Sequence, residues 1–245
     1  MKAQTPSNLQ LARGEVHLWL ALLDRPEGTG GEPSGLLDEE EKARRDRFDG
    51  YRERCRYACR RLILRKILSR YLGLPPKALQ FRYVPYGKPS LAGPFINEDL
   101  EFSYSHSCGV ALYAFTKGRR IGVDLERLTS IPEAEEIAMS QLSLNWAKLW
   151  RRLPPDQKNL TFLQWWTQTE AYLKALGEGW MRQGENPGIL GLSFLGGGQH
   201  RWSDRSRPGG PWSGEVFFPA PGYVAAVAVE APEYHRKVWG WWQEL

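Results

Sequence analysis

The sequence predicts an α+β fold of two similar halves, each a small, mostly antiparallel sheet packed with helices. Three observations lead there. A strand, then helix, then strands occur twice, before and after about Gly118. A hydrophobic fraction of 42% with 12% aromatics is that of a packed globular chain. The continuous apolar run Val110–Phe115 belongs inside a sheet rather than on a surface. No repeat is visible in the residues themselves, so the duplication rests on element order. The expected halves are residues 1–118 and 119–245.

After a polar leader, Glu15-Val16-His17-Leu18-Trp19-Leu20 reads as a strand, and Gly28 to Gly35 as a Gly/Pro-rich loop. Asp38 with Glu41 three residues on forms a capping box that opens a helix to about Phe48. Asp49-Gly50 breaks it. A second helix is expected from about Arg52 to Leu72, with Cys55, Cys59, Leu62, Ile63, Ile67 and Tyr71 on one face and Arg52, Arg56, Arg60 and Arg70 on the others. Gly73 and Pro75 end it. Strands follow at Phe81–Val84, Phe102–Ser105 and Val110–Phe115, then, after the turn Lys117-Gly118-Arg119-Arg120, at Ile121–Glu126. Helices are expected over Glu133–Leu149 and Phe162–Leu176, separated by Pro154-Pro155. The segment from Gly184 to Gly214 reads as a loop. Two closing strands, Glu215–Phe218 and Tyr223–Val229, precede a Trp-rich tail.

The charge is localised. Lys42 to Arg70 holds twelve Lys/Arg against three Asp/Glu, so with a net charge of +5 the remaining residues sum to −4. Such a stretch is either a solvated helix face or one surface for an anionic partner. Three cysteines, Cys55, Cys59 and Cys108, give neither a disulfide framework nor paired ligand spacing, which fits a reduced intracellular chain. No stretch reaches the ~20 apolar residues that span a bilayer. A soluble, cytoplasmic protein without a membrane partner is expected. An arginine-rich helix alone does not make a nucleic-acid site, and no binding module accompanies it.

Two acids share one face of the strand Ile121–Glu126, because residues two apart on a strand point the same way: Asp124 and Glu126. Neighbouring carboxylates repel unless a cation lies between them. A hard cation such as Mg²⁺, which takes one or two carboxylates and completes its shell with water and phosphate, suits the pair. A solvated strand edge, or pairing with Arg127, would also accommodate it. On the later helix, Glu170 and Lys174 stand at i and i+4: a surface ion pair, or a third metal acid with a phosphate clamp. His106 between Ser105 and Ser107 suits hydrogen bonding to phosphate oxygens, although a lone histidine is more often structural. At the turn Tyr86-Gly87-Lys88-Pro89, Lys88 suits a phosphate and Gly87 admits a flat ring. No P-loop, zinc spacing or nucleophile elbow is present.

Together, Tyr86-Gly87-Lys88-Pro89, Phe102-Ser103-Tyr104-Ser105-His106-Ser107, Ile121-Gly122-Val123-Asp124-Leu125-Glu126 and Trp166 through Gly179 resemble, in order and spacing, the 4′-phosphopantetheinyl transferases of the surfactin-synthetase-activating type, and most of all their cyanobacterial group. Glu15-Val16-His17-Leu18-Trp19 extends the resemblance over most of the chain.

The resemblance implies a pseudo-symmetric monomer binding coenzyme A and Mg²⁺. It acts on an apo acyl or peptidyl carrier protein, with 3′,5′-ADP leaving. It assigns Asp124, Glu126 and Glu170 to the metal and Lys174 to the pyrophosphate. Gly87, Lys88, Ser105 and His106 fall to the adenosine and its 3′-phosphate, and Arg44 to that phosphate as well. Glu170, or a water positioned by it and the metal, is then the base for the carrier serine. The chain departs from the pattern at Thr169, where the family has Lys, at Ser103, where it has Asn, and across Met139 to Trp150, where a Phe-Phe pair and a glutamate are missing. Those departures leave a non-catalytic coenzyme A or carrier-binding module as the alternative.

Overall fold

The computed structural model describes residues 9–24, 35–83, 88–93, 99–141, 148, 150–177, 200–204 and 210–241. The chain divides into two compact units, Met1–Arg119 with His235–Leu245, and Arg120–Tyr234.

The first unit is built on a four-stranded sheet in the order β10-β1-β5-β4, with β1 Glu15–Leu22, β4 Leu100–Ser107, β5 Val110–Lys117 and β10 His235–Trp241. A two-stranded ribbon joins β2 (Gln80–Tyr83) to β3 (Pro89–Ala92). β1–β5 and β4–β5 pair antiparallel, whereas β1 and β10 pair parallel, Trp19 opposite Trp239. The two indoles stack at 5.1 Å, and His17 meets Trp239 edge-on at 4.3 Å. The tail read as a plain Trp-rich segment is therefore a strand, and its partner at the other end of the chain draws it into the first unit. The expected boundary at residue 118 placed it with the second half.

Two helices complete this unit. The first, α1 (Glu39–Arg45), begins at the capping box read from the sequence: Asp38 accepts from the Glu41 amide at 2.8 Å and Glu41 accepts from the Asp38 amide at 3.0 Å. It stops at Asp46, earlier than the expected Phe48. The second, α2 (Tyr51–Leu72), ends on left-handed Gly73 (φ 67°), a conformation open to glycine. Its Cys59, Ile63, Ile67 and Leu68 pack with Trp19, Phe102, Tyr113 and Phe115 of the sheet.

The arginines of α2 do not form one solvated face. Arg60, Arg61 and Arg65 are buried. Arg61 and Arg65 grip Glu41 of α1 at 2.5 and 2.7 Å, and Arg60 lies over the rings of Tyr57 and Tyr104. Arg52 and Arg56 both bind Asp24 at the end of β1. Burial of a charge is tolerated because each is paired or stacked.

The second unit carries a sheet in the order β6-β9-β8-β7, wholly antiparallel: β6 Ile121–Arg127, β7 His200–Asp204, β8 Trp212–Phe217 and β9 Tyr223–Val229. The segment read as a loop from Gly184 to Gly214 thus holds β7 and the start of β8. Its Gly, Ser and Trp give no strand periodicity, and Gly214 is there because a Cβ would run into the Trp202 indole and the Val227 carbonyl. Helix α3 (Ala134–Gln141) precedes α4, which runs Pro155–Leu176. α4 starts two turns before the expected Phe162, since Pro155 at the first helical position is no obstacle. Phe162, Trp165, Tyr172 and Ala171 of α4 pack with Trp212, Val216, Ala226 and Ala228 of the sheet.

Candidate active site

In the second unit one lysine bridges the helix and the strand that carry the acids expected at a metal. Asp124 and Glu126 lie two apart on β6, Asp124 buried at 3% exposure and Glu126 half-buried. Above β6 runs α4, and the two approach at backbone distance: a Cβ on Gly122 would overlap the Ala171 carbonyl oxygen and crowd the Ala175 amide. The opposing residues are small, with Thr167, Ala171 and Ala175 buried on the helix and Ala226 and Ala228 on the neighbouring strand. Glu170 and Lys174, one turn apart, are thereby carried to the edge of this contact.

Lys174 Nζ reaches Asp124 Oδ1 at 2.5 Å, bridging helix and strand. Burial alone would lower the Lys174 ammonium, but Asp124 first, then Glu170 and Glu126, outweigh it and hold its pKa above the ordinary lysine range. All three acids therefore act on this one ammonium. Among the described residues no three His, Cys, Asp or Glu side chains form a closed set ready to hold a metal ion. The donor chemistry nevertheless suits a hard divalent cation, because Asp124 already holds a cationic group at contact distance and Mg²⁺ needs only one or two protein carboxylates.

The first unit carries the remaining expected residues. Ser105 and His106 are consecutive on β4, opposite Leu112 and Ala111 of β5, so they face opposite sides of the sheet. Ser105 is buried and His106 exposed. Lys88, just before β3, is half-buried and acts on Glu101 of β4, whose carboxyl burial raises while Lys88 lowers it, the net shift being upward. Arg44 sits in the last turn of α1, ion-paired with Glu40 at 2.8 Å. Gly87 lies outside the described residues.

Two features of these sites were missed in the sequence. Gly122 sets the helix–strand approach, and a glycine between the β-branched Ile121 and Val123 inside a strand was its signal. Beneath Ser103–Ser105, Tyr104 has its phenol near Arg61 and Arg60. Burial would raise that phenol, yet the two guanidiniums, Arg61 foremost, leave it below the ordinary tyrosine value. Nothing local marks those arginines as buried.

The family profile of the 4′-phosphopantetheinyl transferase superfamily matches residues 120–206. The chain is 41% identical to the 4′-phosphopantetheinyl transferase HetI of Nostoc sp., over 71% of this chain and 73% of that protein. It is 33% identical to a putative 4′-phosphopantetheinyl transferase of Synechocystis sp., over 67% of this chain and 66% of that one. With the 4′-phosphopantetheinyl transferase gsp of Aneurinibacillus migulanus it shares 29% identity over 48% of this chain and 46% of the other. The chain belongs to the 4′-phosphopantetheinyl transferase superfamily. It is a transferase of the cyanobacterial type within that family. Among the described residues no helix is long and apolar enough to cross a membrane.

Proposed function

We propose that this protein transfers the 4′-phosphopantetheine arm of coenzyme A, in a Mg²⁺-dependent reaction, to a serine of an apo acyl or peptidyl carrier protein, as a holo-acyl-carrier-protein synthase, and releases adenosine 3′,5′-bisphosphate. The observation that carries the reading is the Lys174–Asp124 contact between α4 and β6, with Glu126 two residues along the same strand and Glu170 one turn from Lys174, in a member of this family.

In this reading Asp124, Glu126 and Glu170 hold the metal, which when bound neutralises charge on the pyrophosphate. Lys174 binds a pyrophosphate oxygen as a compact point charge on a flexible stem. Glu170, directly or through a water, takes the serine proton as the Oγ–P bond forms. The P–O bond to the departing adenosine bisphosphate breaks, and that oxygen keeps the electron pair, its charge balanced by the cations around it. Lys88, Ser105, His106, Gly87 and Arg44 bind the adenosine and its 3′-phosphate, and Asp124, Glu126, Glu170 and Lys174 serve the reacting bond. The protein works as a cytoplasmic monomer.

Mass spectrometry of an apo carrier protein incubated with this protein, coenzyme A and Mg²⁺ tests the reading. A phosphopantetheine mass gain on the carrier, with release of adenosine 3′,5′-bisphosphate, is the expected result. Coenzyme A binding without any carrier modification would point instead to a non-catalytic module.

A further inference from the structure

Asp124 is a buried carboxylate, and a buried carboxylate needs a cation beside it. The cation there is the Lys174 ammonium, 2.5 Å from Asp124 Oδ1. It reaches that position from α4, across a helix–strand seam that Gly122 holds at backbone distance. A divalent cation bound at Asp124 Oδ1 would compete for the same place. Two cations at contact distance from one carboxylate oxygen repel each other strongly in a poorly solvated site.

We propose that Lys174 is a place-holding cation: in the metal-free protein its ammonium neutralises Asp124, and a divalent cation that binds Asp124 displaces it toward a phosphate oxygen of the substrate. The inference rests on the reading of Asp124 as a metal ligand. Lys174 suits the exchange because its charge is borne on a four-carbon stem that can swing without moving the helix. Its side chain is about one-third exposed, against 4% for Asp124, so the lysine has room to leave while the acid stays fixed. Metal loading and readiness of the phosphate clamp then become one event. Without the metal, the lysine is engaged and the buried acid is satisfied.

The test uses Mn²⁺ alone as probe, with the whole protein and no coenzyme A. Isothermal titration compares wild type with Lys174→Met, Lys174→Gln and Asp124→Asn, and thermal melts are run with and without Mn²⁺. Removing the competing ammonium should tighten Mn²⁺ binding by about tenfold or more, since each tenfold is a modest change in free energy. Lys174→Met should also melt below wild type without Mn²⁺ and recover with it. Lys174→Gln keeps a hydrogen-bond donor for Asp124 and serves if the Met variant does not fold. Mn²⁺ binding by both Lys174 variants no tighter than wild type overturns the exchange. If wild type still binds Mn²⁺ and Asp124→Asn does not, the metal reading survives that failure. If no variant binds, both readings fall.

Discussion

The Cα of Gly122 on β6 faces the backbone carbonyl of Ala171 on α4 so closely that no Cβ fits between them. This contact sets the height of Glu170 and Lys174 above Asp124. Gly122→Ala should lower stability by about 1–3 kcal/mol through overpacking. It should also reduce transferase activity beyond what partial unfolding explains, because α4 must lift off the sheet. Urea titration alongside initial rates on the folded fraction checks this. A Gly122→Ala protein as stable and active as wild type would mean that the helix yields freely here.

Asp124→Asn and Glu170→Gln keep side-chain volume and remove one carboxylate each. If these acids hold the metal at the pyrophosphate, each change should slow transfer by at least about 100-fold, roughly 3 kcal/mol of lost transition-state stabilisation. Carrier modification followed over a range of Mg²⁺ concentrations reads this directly. Near wild-type turnover at limiting Mg²⁺ in either variant would remove that acid from the metal.

Local chemistry was legible in the sequence, and distant pairing was not. The Asp38–Glu41 capping box is contained within four residues, and the structure shows both of its bonds. The shared face of Asp124 and Glu126 follows from strand alternation alone. By contrast, β10 exists because β1 offers it an edge, and no run within His235–Trp241 announces that. Strand β7 and the start of β8 were hidden in Gly, Ser and Trp, where tertiary pairing decides structure over local propensity. The burial of Arg61 and Arg65, four apart, was not legible because their partner Glu41 lies on another helix. Lys174 read as half of a helical pair with Glu170, while the strand acid it reaches became apparent only once α4 lay on β6.

Glu41 is the counter-ion of two buried guanidiniums and the reciprocal cap of α1, so its removal should be costly. Glu41→Gln leaves Arg61 and Arg65 short of negative charge in a site that is at most 1% exposed. Breaking one side of a buried ion pair typically costs about 3–5 kcal/mol. A large drop in melting temperature is expected, with α1, and Arg44 upon it, losing its anchorage. A loss under about 1 kcal/mol would show that the network contributes little here.

Acid should weaken the β1–β10 seam in two stages. Burial, opposed by Glu15, lowers the His17 pKa from the ordinary 6.5, so the folded chain holds this imidazole neutral where the unfolded chain protonates it. Glu15 is held at about 2 by the hydrogen bond from Lys237, against burial and with help from the Ala12 amide and His17. Both groups bind more protons when unfolded, so stability falls as pH drops, first below about 6.5 and again below about 4.5. His17→Gln should flatten the upper stage and spare the lower one. Urea unfolding at intervals between pH 7 and pH 2 measures both, and an unchanged upper stage in His17→Gln would acquit this histidine.

Thr169 stands where the family carries lysine, and a lysine there would be expected to add a cation beside Glu170. The structure argues otherwise. Thr169 is only 4% exposed, and its hydroxyl is buried without a hydrogen-bond partner among the described residues. Thr169→Lys would place an ammonium in a site shaped for a small side chain, where burial of an unpaired charge is strongly unfavourable. Loss of stability, with lower activity as its consequence, is the expected outcome. Thr169→Val, which replaces an unsatisfied hydroxyl by a methyl of the same shape, should be neutral or stabilising by up to about 1 kcal/mol. Melting curves of the two variants decide the matter. A stable Thr169→Lys protein with tighter coenzyme A binding would show that the lysine escapes burial and reaches a phosphate.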